Sequence, residues 1–236
     1  MTEPWASYAP IALGTAGGTV AGAAIAEMTH RWPKSLGFVA HRHDDVHDQR
    51  LAATPPGAGR RRLVIILVAA AIGAVSLAAR PLPGGIGGAI FGWMLLALLV
   101  LDVEYFWLPD RLTVPLAAMG LAAGIWLPPS VPDRLIGAAA GFASLAGIAY
   151  AYRVMTGRVG LGGGDPRLFA AIGAWLGWVA LPFVLLLAAS FGLALVAYDR
   201  LRGRAITRHS RIPLGALLAA AAWLLWVPGP FSVWER

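Results

Sequence analysis

The sequence predicts an all-α, polytopic membrane protein of about eight transmembrane helices, on three observations. Of 236 residues, 58% are hydrophobic and only 13% charged, a balance that a soluble domain of this size would leave as large exposed apolar patches. The apolar residues fall in runs of about 17 to 20, enough to cross a hydrocarbon core of about 30 Å at about 1.5 Å per residue. These runs, such as 181–197, are apolar on every face, whereas the strands of a membrane barrel alternate lipid-facing and lumen-facing residues.

The expected spans are 9–28, 63–79, 86–101, 112–127, 135–152, 168–178, 181–198 and 213–227. The first reads as a span rather than a cleavable signal, because no basic stretch precedes a run rich in Gly and Ala. Its small residues from Gly14 to Gly22 are expected to let helices pack closely. Residues 168–198 are too long for one span and too short for two. The break is expected at Leu181-Pro182, where the residue before proline leaves the helical region; a buried or re-entrant sixth helix is the alternative. Segment 29–62, with its Pro/Gly stretch at 52–59, is too short to bury a core, so the chain is expected to form one membrane-embedded domain over 1–236.

Placing 29–62 in the cytoplasm puts sixteen of the nineteen Lys and Arg residues on that side, as the positive-inside bias requires. Arg80, Arg134 and Arg236 then lie outside, and both chain ends are periplasmic. The same bias accounts for the formal charge of +7 without nucleic acid, since no basic stretch carries interleaved aromatics. Tryptophans such as Trp126, Trp226 and Trp234 sit near span ends and read as an interfacial belt against membrane lipid.

Most acidic residues fall in solvent, but Asp102 and Glu104 end the third span, Asp110 begins the fourth, and Asp165 precedes the sixth. A carboxylate at bilayer depth costs about 2.5–3.5 kcal/mol on insertion scales, so such residues face a wet cavity or a partner. Asp165 follows Gly162, Gly163 and Gly164, where glycine permits positive φ and lets an extended peptide approach the backbone. The plainer reading makes Asp165 the cap of a helix starting at Pro166. Likewise Asp110 reads first as a cap of the fourth span beside Arg111, and Glu104 as a side chain reaching to the interface. Two carboxyls meeting in a partly desolvated pocket work as acid plus base, one drawing a proton from water while the other polarises a carbonyl oxygen. No rival nucleophile set appears: the chain has no Cys, and neither Gly-x-Ser-x-Gly nor His-Glu-x-x-His occurs. His43 and His47, four apart in a charge-rich loop, offer metal ligands, against the simpler reading of a solvated loop.

The segment Leu101-Asp102-Val103-Glu104-Tyr105-Phe106-Trp107-Leu108-Pro109-Asp110 resembles the first aspartate motif of type IV prepilin peptidases. Gly162-Gly163-Gly164-Asp165-Pro166-Arg167, followed by Ala174-Trp175-Leu176-Gly177, resembles that family's Gly-x-Gly-Asp motif. The likeness is strong over 86–200 and weak over 14–33, where His30-Arg31-Trp32-Pro33 stands in for a His-Arg-Leu-Pro. It implies that Asp102 and Asp165 are the catalytic pair, that Asp110 is secondary and that Gly162 to Gly164 admit substrate. It also implies cleavage, generally after glycine, of the basic leader of prepilins or pseudopilins at the cytoplasmic face of a bacterial inner membrane. Many members carry paired Cys-x-x-Cys zinc ligands and methylate the new N-terminus with S-adenosylmethionine. Here 29–62 has no cysteine, so zinc and S-adenosylmethionine are not expected, and peptide hydrolysis needs no cofactor. Two other classes share these residues: an ion- or proton-coupled transporter, which would carry internal pseudo-symmetry that is not visible here, and an inactive pilus or secretion assembly factor.

Overall fold

The eight apolar runs reappear as eight helices in a computed structural model that describes residues 8–35, 57–158, 160–203 and 212–228. They are α1 (Ala9–Ser35), α2 (Ala58–Ala79), α3 (Gly84–Tyr105), α4 (Asp110–Ala123), α5 (Val131–Thr156), α6 (Asp165–Leu176), α7 (Leu181–Leu201) and α8 (Leu214–Trp226), with a 3-10 turn, Trp178–Ala180, between α6 and α7. By length and apolarity, five can cross a membrane: α1, α2, α3, α5 and α7. The other three have 14, 12 and 13 residues, about 18–21 Å at helical rise and short of the hydrocarbon thickness. The all-α polytopic class therefore stands, with a refinement: α4 and α8 are half-length as well as α6.

The chain divides into two compact units, Met1–Trp93 and Met94–Arg236. In the first, α1 and α2 touch backbone to backbone. A Cβ on Gly18 would strike the Ala69 carbonyl, and one on Gly22 would fall 2.6 Å from the Ile66 Cα, so only glycine permits the approach. Trp93 Nε1 donates to the Ala69 carbonyl at 2.9 Å. Further along, Arg61 of α2 donates to Thr29 Oγ1 at 2.8 Å and to the Ala26 carbonyl at 3.2 Å. Helix α1 runs seven residues past the expected end of the first span, through His30, Arg31 and Trp32. A Glu27–Arg31 ion pair spans one turn of that extension.

The second unit is built on α6, of whose twelve residues ten are buried. Glycines again permit contact. A Cβ on Gly141 of α5 would lie 2.6 Å from the Phe169 carbonyl, and one on Gly120 of α4 would lie 2.9 Å from the Ala174 carbonyl. Trp175 on α6 donates its Nε1 to the Leu116 carbonyl of α4 at 2.7 Å. Helix α6 stops at Gly177, whose φ of 75° is left-handed and open chiefly to glycine. The break therefore comes four residues before Leu181-Pro182. Pro182 instead sits in the first turn of α7, where its missing N–H has no helical partner to lose.

Arg134, expected in an outer loop, lies in the first turn of α5 with 2% exposure. Each of its five N–H groups has a carbonyl: Nε donates to Pro129 (2.8 Å), Nη1 to Gly120 (2.7 Å) and Ala174 (3.1 Å), and Nη2 to Leu127 (3.2 Å) and Pro128 (2.9 Å). Gly120 and Ala174 belong to the last turns of α4 and α6, whose carbonyls have no partner within their own helices and carry the negative end of the helix dipole. One guanidinium thus ends two buried helices. Arg134→Met is expected to destabilise the protein by about 2–4 kcal/mol, because it strands buried acceptors. Arg134→Lys should recover only part, with three donors and no planar fork. Unfolding midpoints in detergent measure both.

Candidate active site

All the residues of the site belong to the second unit. Asp102 lies on the last turn of α3, a helix that ends when Phe106 turns left-handed at φ 51°. The Phe106 N–H returns to the Asp102 carbonyl at 2.9 Å, closing the turn before Leu108 and Pro109 lead into α4. Asp165 opens α6, its N–H directed at the Gly162 carbonyl at 3.3 Å. The N-cap position is Gly164, which has no side chain, so Asp165 does not cap α6 as the plainer reading expected. Its carboxyl instead faces the Gly162 and Gly215 amides.

Both residues are buried, with Asp102 at 5% and Asp165 at 8% exposure, and their carboxyls lie near enough to interact electrostatically. They converge on the start of α8. Ala216 N–H donates to Asp102 Oδ2 at 2.7 Å, a length typical of a donor to a charged acceptor. The Gly215 N–H is directed at both carboxyls. Leu108 is wedged beside them: a Cβ on Gly164 would fall 2.7 Å from Leu108 Cβ, and one on Gly215 would fall 2.7 Å from Leu108 Cδ1.

The chain turns at Gly163 and Gly164, but none of Gly162, Gly163 and Gly164 adopts positive φ. These glycines act by the space they leave. A Cβ on Gly162 would sit 3.1 Å from Asp165 Oδ2, whereas one on Gly163 would meet nothing within 4 Å, so the backbone at Gly163 is open to an approaching chain.

Asp110 is the first residue of α4, after Pro109 at the N-cap position. It neither caps that helix nor is buried with the pair. Half-exposed, it accepts from Arg167 Nη1 at 2.6 and 2.8 Å and ties the start of α4 to the start of α6. Glu104 is exposed. His43 and His47 lie outside the described residues, among which no group of three or more His, Cys, Asp or Glu side chains gathers as a metal site. Sequence reasoning missed Gly215, Ala216 and Leu108. The available signal was a glycine two residues after Pro213, opening a helix otherwise built of Leu, Ala and Trp. Because the Asp110–Arg167 pair is half-exposed, its coupling in an Asp110→Asn, Arg167→Gln double-mutant cycle of unfolding is expected to stay below about 1 kcal/mol.

A family model described as the type IV leader peptidase family matches residues 89–197, a stretch that holds Asp102, Asp110 and Asp165. A protein of Aeromonas hydrophila named prepilin leader peptidase/N-methyltransferase is 39% identical over 176 residues, covering 72% of this chain and 60% of that protein. Proteins of the same name from Burkholderia pseudomallei (strain 1026b) and Pseudomonas putida are 39% identical over 174 residues and 40% over 139, covering 72% and 57% of this chain and 55% and 47% of theirs. The chain thus spans about half to three fifths of the length of these relatives. No solved structure gives a significant match. By residues 89–197 and the two aspartate motifs within them, the chain belongs to the type IV leader peptidase family.

Proposed function

We propose that this protein is a membrane aspartic endopeptidase that removes the N-terminal leader from type IV prepilin or pseudopilin precursors. The observation that carries the reading is the meeting of two buried carboxyls, Asp102 and Asp165, at one backbone amide. The names of the relatives supply the substrate class.

In the proposed reaction a water molecule lies between the two carboxyls, one ionised and the other protonated. The carboxylate takes a proton from the water as its oxygen bonds to the peptide carbonyl carbon, and the protonated partner gives its proton to the carbonyl oxygen. The resulting gem-diol collapses with cleavage of the C–N bond. The amine leaves with the proton taken from water, and the second carboxyl recovers its own from the diol. Burial excludes bulk water from the pair and strengthens each of these interactions. The open backbone at Gly163 supports entry of an extended peptide beside Asp165.

The distribution of Lys and Arg supports an inner-membrane orientation with the site toward the cytoplasm and both chain ends in the periplasm. There a basic leader would meet the acidic pair. Methyl transfer, the second activity in the relatives' name, finds no support in 29–62, which offers no cysteine for a zinc-bound loop. Asp110 takes no part in this chemistry, its carboxylate being engaged by Arg167 near the surface.

Purified protein in detergent is expected to shorten a prepilin substrate. Asp102→Asn and Asp165→Asn should each lower the rate by at least about 10³-fold while leaving the amount of protein in the membrane unchanged. Full leader cleavage by the Asp165→Asn protein would overturn the assignment. Asp110→Ala is expected to keep cleavage within about threefold of the parent, in line with the small worth of an exposed pair.

A further inference from the structure

We propose that the first turn of α8 is a third component of this site, with Gly215 and Ala216 as positioning residues that align the two carboxyls. This rests on the peptidase reading and adds an element that neither aspartate motif contains.

The first N–H groups of a helix have no partner within it. In α8 the Leu217 N–H reaches the Pro213 carbonyl at 3.3 Å, whereas the Ala216 N–H is spent on Asp102 Oδ2 at 2.7 Å. Asp102 needs such a partner more than Asp165 does. It stands on the last turn of α3, where the carbonyl end of the helix repels a negative charge, while Asp165 stands at the favourable amino end of α6. The amino end of α8 therefore offsets for Asp102 what its own helix disfavours. Gly215 supplies space. A Cβ there would fall 2.9 Å from Asp102 Oδ2 and 3.2 Å from its Cγ, so a side chain would disturb the carboxyl where it meets the Ala216 amide. Its φ is not positive, so close approach, not backbone conformation, is what requires glycine.

Three proteins test this against a prepilin peptide in detergent, with kcat and KM determined separately. Replacing residue 216 with L-lactic acid turns its N–H into an ester oxygen and adds no atom toward the carboxyl. It is expected to lower kcat about 10- to 100-fold, as loss of a donor to a charged group should, with KM within about threefold. Gly215→Ala is expected to lower kcat by more than about 100-fold. Adding Leu108→Ala, which removes the other close neighbour, should not restore it. An unchanged kcat in the ester protein would overturn the proposal. So would recovery of the Gly215→Ala, Leu108→Ala protein to the level of Leu108→Ala alone, which would reduce Gly215 to a packing position. If Gly215→Ala does not fold, the ester protein decides alone. A parent protein that leaves the peptide intact would defeat the peptidase reading itself, and this one with it.

Discussion

The arrangement of the second unit depends on how a twelve-residue helix can be buried with both of its polar ends inside the protein. Helix α6 buries ten of its twelve residues, and each of its ends presents backbone groups without helical partners, costly to bury unpaired. At the carboxyl end Arg134 answers this, gathering the Ala174 carbonyl with the Gly120 carbonyl of α4 and three from the connection to α5. At the amino end stands Asp165, flanked by the Gly162 and Gly215 amides. With one end held by a guanidinium and its length by glycine contacts to α4 and α5, the height of Asp165 in the structure is set.

Half-length helices also explain why two acids so far apart in the chain can meet. A helix crossing the whole membrane delivers its terminal residues to the surface, but α6 and α8 begin within the packed unit. Helix α8 brings its first amides to the end of α3, so that the carboxyl on the last turn of one helix meets the unpaired N–H groups of another. Each element resolves a deficit of the other: α8 needs acceptors, and Asp102 needs donors. The result is a cluster in which two buried acids face the same Gly215 amide and the Ala216 N–H finds its acceptor in Asp102.

The first unit follows a different logic. Its α1–α2 pair is joined by glycine-to-backbone contacts along the helices and by Arg61 to Thr29 at one end, an association through close packing and a few polar bonds that suits helices in lipid, where burial against lipid tails offers little drive.

How much was legible depends on the range of the interaction responsible. Hydropathy determined the helical class and the approximate positions of the eight helices among the described residues, because apolar runs of a given length have one stable backbone in lipid, but not where α1 ends or where α6 gives way to α7. The cost of a carboxylate at bilayer depth drew attention to Asp102, Glu104, Asp110 and Asp165, and the likeness of the two aspartate motifs narrowed these to Asp102 and Asp165. Local rules misjudged the rest. Asp110 read first as a cap because Asp favours that position, yet the cap site falls at Pro109 and the carboxylate is claimed by Arg167. Arg134 read as an outer-loop charge because nothing near it in sequence reveals five carbonyls, two of them from the ends of α4 and α6. Which amides face Asp102 is decided by the packing of α8 against the end of α3, 114 residues away in the chain. A sequence shows which groups are expensive to bury, but only the tertiary structure decides which partners, remote along the chain, satisfy them.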